Sequence, residues 1–189
     1  MFPEIETERL LLRMYRTDDA EAIHRIWTDS DVTRYIDPNF KPTLEQTREI
    51  VIRMIQRWRE RHVGQWVVCL KEDGKLIGYC GFKPLNGVGP ETEIVYGLSK
   101  EHWNKGYATE LTKACLRYVF ENTELDYILA IAFPENVGSW RVMEKAGMKF
   151  EKNTQVFDHD MVLYSISKEN FRATDASYKL SFINDDEHL

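Results

Sequence analysis

Apolar positions along this chain alternate between a period of two and a period near 3.6, and the switches divide it into elements. Thr7-Glu8-Arg9-Leu10-Leu11-Leu12-Arg13-Met14 reads as a first strand. Thr17 in a capping position and the acidic pair Asp18-Asp19 then open a helix with Ala22, Ile23, Ile26 and Trp27 on its apolar face. Residues 29 to 42 hold turn formers and two prolines, a loop that carries Tyr35, Ile36 and Phe40. A second helix runs from about Thr43, with Leu44, Ile50, Val51, Met54, Ile55 and Trp58 near helical spacing. Its other face, with Arg48, Arg53, Arg57, Arg59 and Arg61, reads as solvated.

From Gly64 the period drops to two. Residues 65 to 70 and 76 to 82 form a hairpin closed by Glu72-Asp73-Gly74-Lys75. Gly87, Gly89 and Pro90 make a loop before the β-branched run Glu93-Ile94-Val95-Tyr96-Gly97-Leu98. A helix follows, with apolar residues at Ala108, Leu111, Cys115, Tyr118 and Val119. Residues 127 to 133 are almost wholly apolar, as in a buried parallel strand. Pro134-Glu135-Asn136 turns into another helix that stops near Gly147; a strand begins at residues 149 to 151, and residues 160 to 166 form a further one. The expected fold is α+β: a mixed, mostly antiparallel central sheet flanked by helices. The strands at 93 to 98 and 127 to 133 must pair in parallel through a right-handed crossover. One domain over residues 1–168 and a tail over 169–189 complete the reading.

Composition narrows the classes. A net charge of −6 argues against nucleic acid as the main partner, since a phosphate backbone needs a basic surface. No signal-peptide pattern and no run of membrane-spanning length is seen, so a cytoplasmic protein without a membrane partner is expected. Cys69, Cys80 and Cys115 lie inside strand or helix patterns without metal-ligand spacing and read as small buried hydrophobes. His24, His62, His102, His159 and His188 are dispersed, with no nucleophile partner or zinc spacing, so no metal site is expected. The oligomeric state, a homodimer included, stays open.

The segment His102-Trp103-Asn104-Lys105-Gly106-Tyr107-Ala108-Thr109-Glu110 joins strand to helix. Free amides and the positive dipole end at such a helix start suit a phosphate group. Gly106 allows close approach of an anion, and Ala108 keeps the first turn small. The spacing is not that of Gly-x-x-x-x-Gly-Lys-Ser/Thr, which disfavours a P-loop nucleotide hydrolase.

Four pieces together resemble the GNAT N-acetyltransferase superfamily, with the nearest likeness to its Rim-type (RimJ/RimL-like) branch of ribosomal-protein N-terminal acetyltransferases. They are Thr7-Glu8-Arg9-Leu10-Leu11-Leu12-Arg13, the run from Glu93 to Leu98, Trp103-Asn104-Lys105-Gly106-Tyr107-Ala108-Thr109-Glu110, and Asn136-Val137-Gly138-Ser139-Trp140-Arg141-Val142-Met143-Glu144-Lys145-Ala146-Gly147. The resemblance implies acetyl-coenzyme A as co-substrate and a parallel strand pair that splays at its site. The pyrophosphate would lie on the amides of Trp103, Asn104, Lys105, Gly106, Tyr107, Ala108 and Thr109. Pantetheine would run along the strand ending at Leu98 and touch Asn136. Trp103 departs from the superfamily's usual Gln or Arg and matches the Rim-type branch.

Acetyl transfer to an amine needs a base, an oxyanion donor and a proton for the leaving thiolate. Deprotonating an α-amine at neutral pH costs about 1 kcal/mol and a lysine side chain roughly 4 to 5, so a carboxylate base suffices for the first. Glu93 is the candidate base, with Glu91 two residues away as a substitute, and a backbone N–H near Tyr96 or Gly97 is the candidate oxyanion donor. Many members carry a tyrosine four residues before the helix-ending glycine; that position is Met143 here. Ser139, at the serine of the Rim-type Asn-x-x-Ser pattern, is then the candidate acid, or else a first-turn residue capped by Asn136. Trp27 and Tyr35 border the acceptor loop in similar proteins and are candidate substrate contacts, along with Glu93. The resemblance implies a primary amine as acceptor, and its Rim-type side favours a protein or peptide N-terminus over a small molecule. Without the tyrosine, a non-catalytic acyl-coenzyme A sensor is the alternative.

Overall fold

The structure, a computed structural model, describes residues 1–35, 40–61, 63–85, 91–156, 158–173 and 176–184. Ile36, His62, Gly87, Gly89, Pro90 and His188 lie outside the described residues. Among the described residues nine strands form one sheet in the order β7-β8-β6-β5-β4-β3-β2-β1-β9. The strands are β1 (Phe2–Glu6), β2 (Leu10–Arg13), β3 (Gln65–Leu70), β4 (Leu76–Pro84), β5 (Thr92–Leu98), β6 (Tyr127–Ala132), β7 (Lys149–Val156), β8 (His159–Ser167) and β9 (Lys179–Ile183). The helices are α1 (Ala20–Thr28), α2 (Ser30–Thr33), α3 (Leu44–Arg61), α4 (Tyr107–Asn122) and α5 (Val137–Lys145). Among the described residues every pairing is antiparallel except β5 with β6. This is the mixed α+β architecture expected from the sequence. No helix among the described residues is long and apolar enough to cross a membrane.

Three local expectations change, the first being that the segment from 29 to 42, read as a loop, holds the short helix α2 (Ser30–Thr33), capped by the Asp29 side chain. The first strand does not begin at Thr7: Thr7 turns the chain between β1 and β2, its amide donating to the Leu10 carbonyl at 2.9 Å and its hydroxyl receiving the Leu10 amide at 3.0 Å. A side chain able to satisfy backbone groups locally favours a turn over a continuous strand. Thr17 does not cap the first helix. The buried Asp19 carboxylate takes the Arg16 amide at 2.7 Å and the Arg13 guanidinium at 2.8 and 2.7 Å, so it is the residue that organises this helix start. The second helix does open as read, with a reciprocal cap in which the Gln46 side chain takes the Thr43 amide (2.8 Å) and the Thr43 hydroxyl takes the Gln46 amide (3.2 Å). Cys69, Cys80 and Cys115 are buried free thiols, and β9 in the C-terminal segment extends the sheet by pairing with β1.

The sheet carries helices on both faces, and contacts identify which residues face which. The Tyr79 ring meets Trp27 of α1 edge-on at 6.0 Å between centroids, which assigns Tyr79 and its cross-strand partner Gly97 to the α1 face. Cys80 Sγ lies 3.3 Å from Cys115 Sγ of α4, which assigns Cys80 and its partner Tyr96 to the opposite face. Strand alternation then puts Glu93, Val95 and Gly97 toward α1, and Ile94, Tyr96 and Leu98 toward α4 and α5. Trp58, Trp66 and Tyr118 form the aromatic centre of the core, with ring centroids 4.7 and 5.1 Å apart.

Candidate active site

The parallel pair is a pair at one point only, Glu93 opposite Leu129. Beyond it β5 stays hydrogen-bonded to β4 as far as Leu98 while β6 follows β8 as far as Ala132, so the two strands part. The β4–β5 register settles which backbone groups of β5 face the gap. Ser99 donates to Ile77 at 2.8 Å and Leu85 to Glu91 at 2.8 Å, one bond beyond each end of the ladder. By alternation the amides of Glu93, Val95 and Gly97 are taken by β4, and those of Ile94, Tyr96 and Leu98 point toward β6. Of the two oxyanion donors considered from sequence, the Tyr96 amide faces the opening and the Gly97 amide does not. The Leu98 carbonyl, on the same edge, receives the Trp103 indole N–H at 2.8 Å, which ties the strand end to the loop that follows.

That loop is shaped for an anion. Asn104 (φ 59°) and Gly106 (φ 83°) both adopt the left-handed conformation, and Gly106 occupies the N-cap of α4 without any side-chain cap. The first helical bond runs from Glu110 N to the Gly106 carbonyl (3.1 Å), which leaves the amides just before Glu110 to an outside acceptor, whereas the Trp103 amide, expected to share that role, is taken by the Lys100 carbonyl at 3.1 Å. Asn104, Lys105 and Gly106 are exposed, and a Cβ on Gly106 would come within 3.3 Å of Arg9 Nη2.

Glu93 lies on the α1 face where β5 and β6 begin to part, and only 4% of its surface is exposed. Lys83, directly across on β4, brings Nζ to 3.2 Å from Oε2, yet that oxygen has no aligned hydrogen-bond donor among the described residues. Burial pushes the carboxyl above its usual value, and the Lys83 charge partly opposes the shift. Glu91, by contrast, is exposed.

Ser139 sits in the first turn of α5 on the other face. The Asn136 side chain accepts the Ser139 amide at 3.2 Å, so Asn136 is the N-cap that its sequence position suggested. The Tyr96 hydroxyl donates to the Ser139 carbonyl at 2.9 Å and stands 3.0 Å from Ser139 Oγ. Burial raises the Tyr96 phenol well above its usual value, so it keeps its proton at neutral pH. Sequence reasoning singled out the Tyr96 backbone and missed its side chain, because 43 residues separate it from Ser139. Met143, at the position of the missing tyrosine, is buried in the core.

The expected acceptor contacts fare unequally. Trp27 is buried, edge-on to Phe40 at 5.6 Å and to Tyr79, and so supports the α1-side wall from behind. Tyr79 itself lies across Gly97, where a Cβ would meet the phenol ring and its oxygen at 2.7 Å. Tyr35 follows α2, its ring 4.8 Å from the Arg34 guanidinium, and no hydrogen bond or ring contact among the described residues joins it to β5. His102 is buried with Nδ1 2.8 Å from Ser99 Oγ, and His24 Nδ1 lies 3.0 Å from Thr47 Oγ1.

Comparison with known proteins agrees with this geometry. The family model for the acetyltransferase (GNAT) domain matches residues 9–149. YoaA of Bacillus subtilis (strain 168), an uncharacterized N-acetyltransferase, is 31% identical over 174 residues, covering 89% of this chain and 98% of YoaA. A GNAT-family acetyltransferase of known structure from Bacillus anthracis is 34% identical and superposes with a TM-score of 0.76, covering 88% of this chain and 99% of that one. The ribosomal-protein-S5-alanine acetyltransferase of Vibrio fischeri shares the fold at 19% identity and a TM-score of 0.71, covering 88% and 98% of the two chains. With N-acetyltransferases among its relatives, a sensor without activity is not the favoured reading. This chain belongs to the GNAT acetyltransferase family, and it is an enzyme that takes its acetyl group from acetyl-coenzyme A.

Proposed function

We propose that the enzyme transfers acetyl directly from acetyl-coenzyme A to the N-terminal amine of a protein or peptide, as in the RimJ/RimL-like branch. The observation that carries the scheme is the placement of a buried carboxylate and a hydroxyl pair on opposite faces of β5, where β5 and β6 part. The diphosphate rests on the free amides about Gly106, with Trp103, Asn104, Lys105, Tyr107, Ala108 and Thr109 framing it. The amide-bearing pantetheine arm lies along the unpaired β5 edge toward Leu98 and passes Asn136. Glu93 takes the proton of the incoming ammonium, and its raised value brings it nearer the working pH. The Tyr96 amide receives the oxyanion. Ser139 Oγ–H passes its proton to the departing thiolate and regains one from solvent water, and the Tyr96 hydroxyl orients it and stands in for the phenol absent at Met143. On the acceptor side Tyr79 forms the wall with Trp27 packed behind it, and Tyr35 is the candidate contact with the incoming amine.

A peptide acceptor is supported by Trp103 and Ser139, which match the Rim-type pattern, and by the low cost of freeing an α-amine with a single carboxylate. Scoring thiol release over a panel of amines tests it. Peptides with free N-termini should react, whereas the same peptides blocked at the N-terminus, polyamines and aminoglycosides should not; transfer to the small molecules alone overturns the assignment. Ser139→Ala should lower kcat by about 10- to 100-fold with acetyl-coenzyme A KM little changed, and Tyr96→Phe should lower it less. Unchanged kcat in both variants would assign the thiolate proton to water.

A further inference from the structure

The signature Thr7-Glu8-Arg9 takes no part in the scheme above, yet Thr7 and Arg9 reach the cofactor loop and the first turn of α4 through several polar contacts. Glu110, in the first turn of α4, accepts the Thr7 hydroxyl (2.6 Å) and the Arg9 amide (2.9 Å) on Oε1, and Arg9 Nε (2.7 Å) on Oε2. Arg9 Nη2 also lies 2.7 Å from Oε2, and Arg9 Nη1 donates to the Lys105 carbonyl at 2.9 Å. The guanidinium lies 4.4 Å from the centroid of the Tyr107 ring. One side chain from the β1–β2 turn thus holds the carbonyl before Gly106, the ring after it and a carboxylate one helical turn on.

Two physical consequences follow for an anion on this loop. A trans peptide points its carbonyl and its N–H in opposite directions, so drawing the Lys105 carbonyl onto Arg9 turns the Gly106 N–H away from Arg9. This peptide joins Lys105 to the left-handed Gly106, and Arg9 is the side-chain donor on its carbonyl. Glu110 also places a negative charge in the helix turn where a diphosphate is to bind. Arg9 and Thr7 engage both of its oxygens and offset that charge.

We propose that Arg9, braced by Thr7 and Glu110, is a positioning residue for acetyl-coenzyme A. It presents the loop amides to the diphosphate and neutralises the carboxylate beside them. The proposal rests on the reading that the Gly106 loop holds the diphosphate. Calorimetry with coenzyme A and steady-state kinetics on the full chain test it. Arg9→Met should weaken coenzyme A binding about 10- to 100-fold, the loss expected for hydrogen bonds of a charged group. The KM for acetyl-coenzyme A should rise in step, with the amine KM and the pH profile unmoved. Arg9→Lys, which keeps the charge without the fork, should recover part of the loss. With S-acetylpantetheine, a donor that lacks the diphosphate, Arg9→Met and the parent enzyme should react alike. If Arg9→Met fails to fold, Thr7→Val removes one brace without touching the guanidinium and should weaken coenzyme A binding several-fold, roughly the share of one hydrogen bond. Unchanged coenzyme A affinity in the folded variants, or an equal defect with acetylpantetheine, overturns the proposal. If Gly106→Val also leaves coenzyme A binding unchanged, the loop reading itself has failed.

Discussion

Glu93→Gln is expected to lower kcat by about 10- to 1000-fold, the range for losing a general base, while the chain stays folded. The variant keeps the shape of the side chain and removes only its ability to take a proton. In the parent enzyme kcat/KM should rise with pH through an ionisation above the usual carboxylate value of 4.5, because burial raises Glu93 and only the ionised form accepts a proton. That acidic limb should vanish in Glu93→Gln. Stability should respond in the opposite sense. Since the folded value lies above the unfolded one, the native chain retains a proton that the unfolded chain has released. The stabilisation is therefore complete at pH below the unfolded value and lost as pH rises through the folded value. A neutral glutamine escapes this loss, so at neutral pH the variant should melt no lower than the parent, a trade of stability for activity at one residue. Rate profiles from acid to neutral pH, run beside thermal melts, check both halves. An unchanged acidic limb would remove Glu93 from the mechanism and turn attention to Glu91.

Gly106→Val should weaken coenzyme A binding by about 10- to 100-fold and leave the amine KM unchanged. At φ 83° an ordinary side chain costs roughly 1 to 2 kcal/mol, and a β-branched one more, so the loop would relax out of the shape that presents its amides. A Cβ there would also press toward Arg9 Nη2 at 3.3 Å and disturb the hold on the Lys105 carbonyl. Fluorescence or calorimetric titration with coenzyme A measures the change. Binding equal to that of the parent would place the diphosphate elsewhere.

Much of this architecture was legible before any coordinates. The hairpin at β3 and β4, the helix after Gly106, the Asn136 cap and the parallel strand pair all follow from features close together in sequence: side-chain period, a glycine at a left-handed position and a polar residue three before a helical amide. Local misreadings had local causes. Thr7 looked like the start of a strand because a threonine before three leucines fits a strand pattern, and only its hydroxyl bond to Leu10 reveals a turn. Thr17 had a capping position, but Asp19 can serve the Arg16 amide and the Arg13 guanidinium at once. The burial of Trp27 behind Tyr79 depends on how α1 packs against β4, which no local pattern shows.

By itself the sequence determined the kinds of element, the left-handed turn that frees a row of amides, and the family to which these pieces in this order belong. The tertiary structure alone decided which groups meet. It separates β6 from β5 beyond Glu93, turns the Tyr96 amide and not that of Gly97 toward the gap, sets the Tyr96 phenol on Ser139, and brings Arg9 across 101 residues to Glu110. The physical reason is range: a period or a cap is set by neighbours a few residues apart. Burial of a carboxylate, the parting of two strands and a clamp on a loop arise only once distant segments share one core.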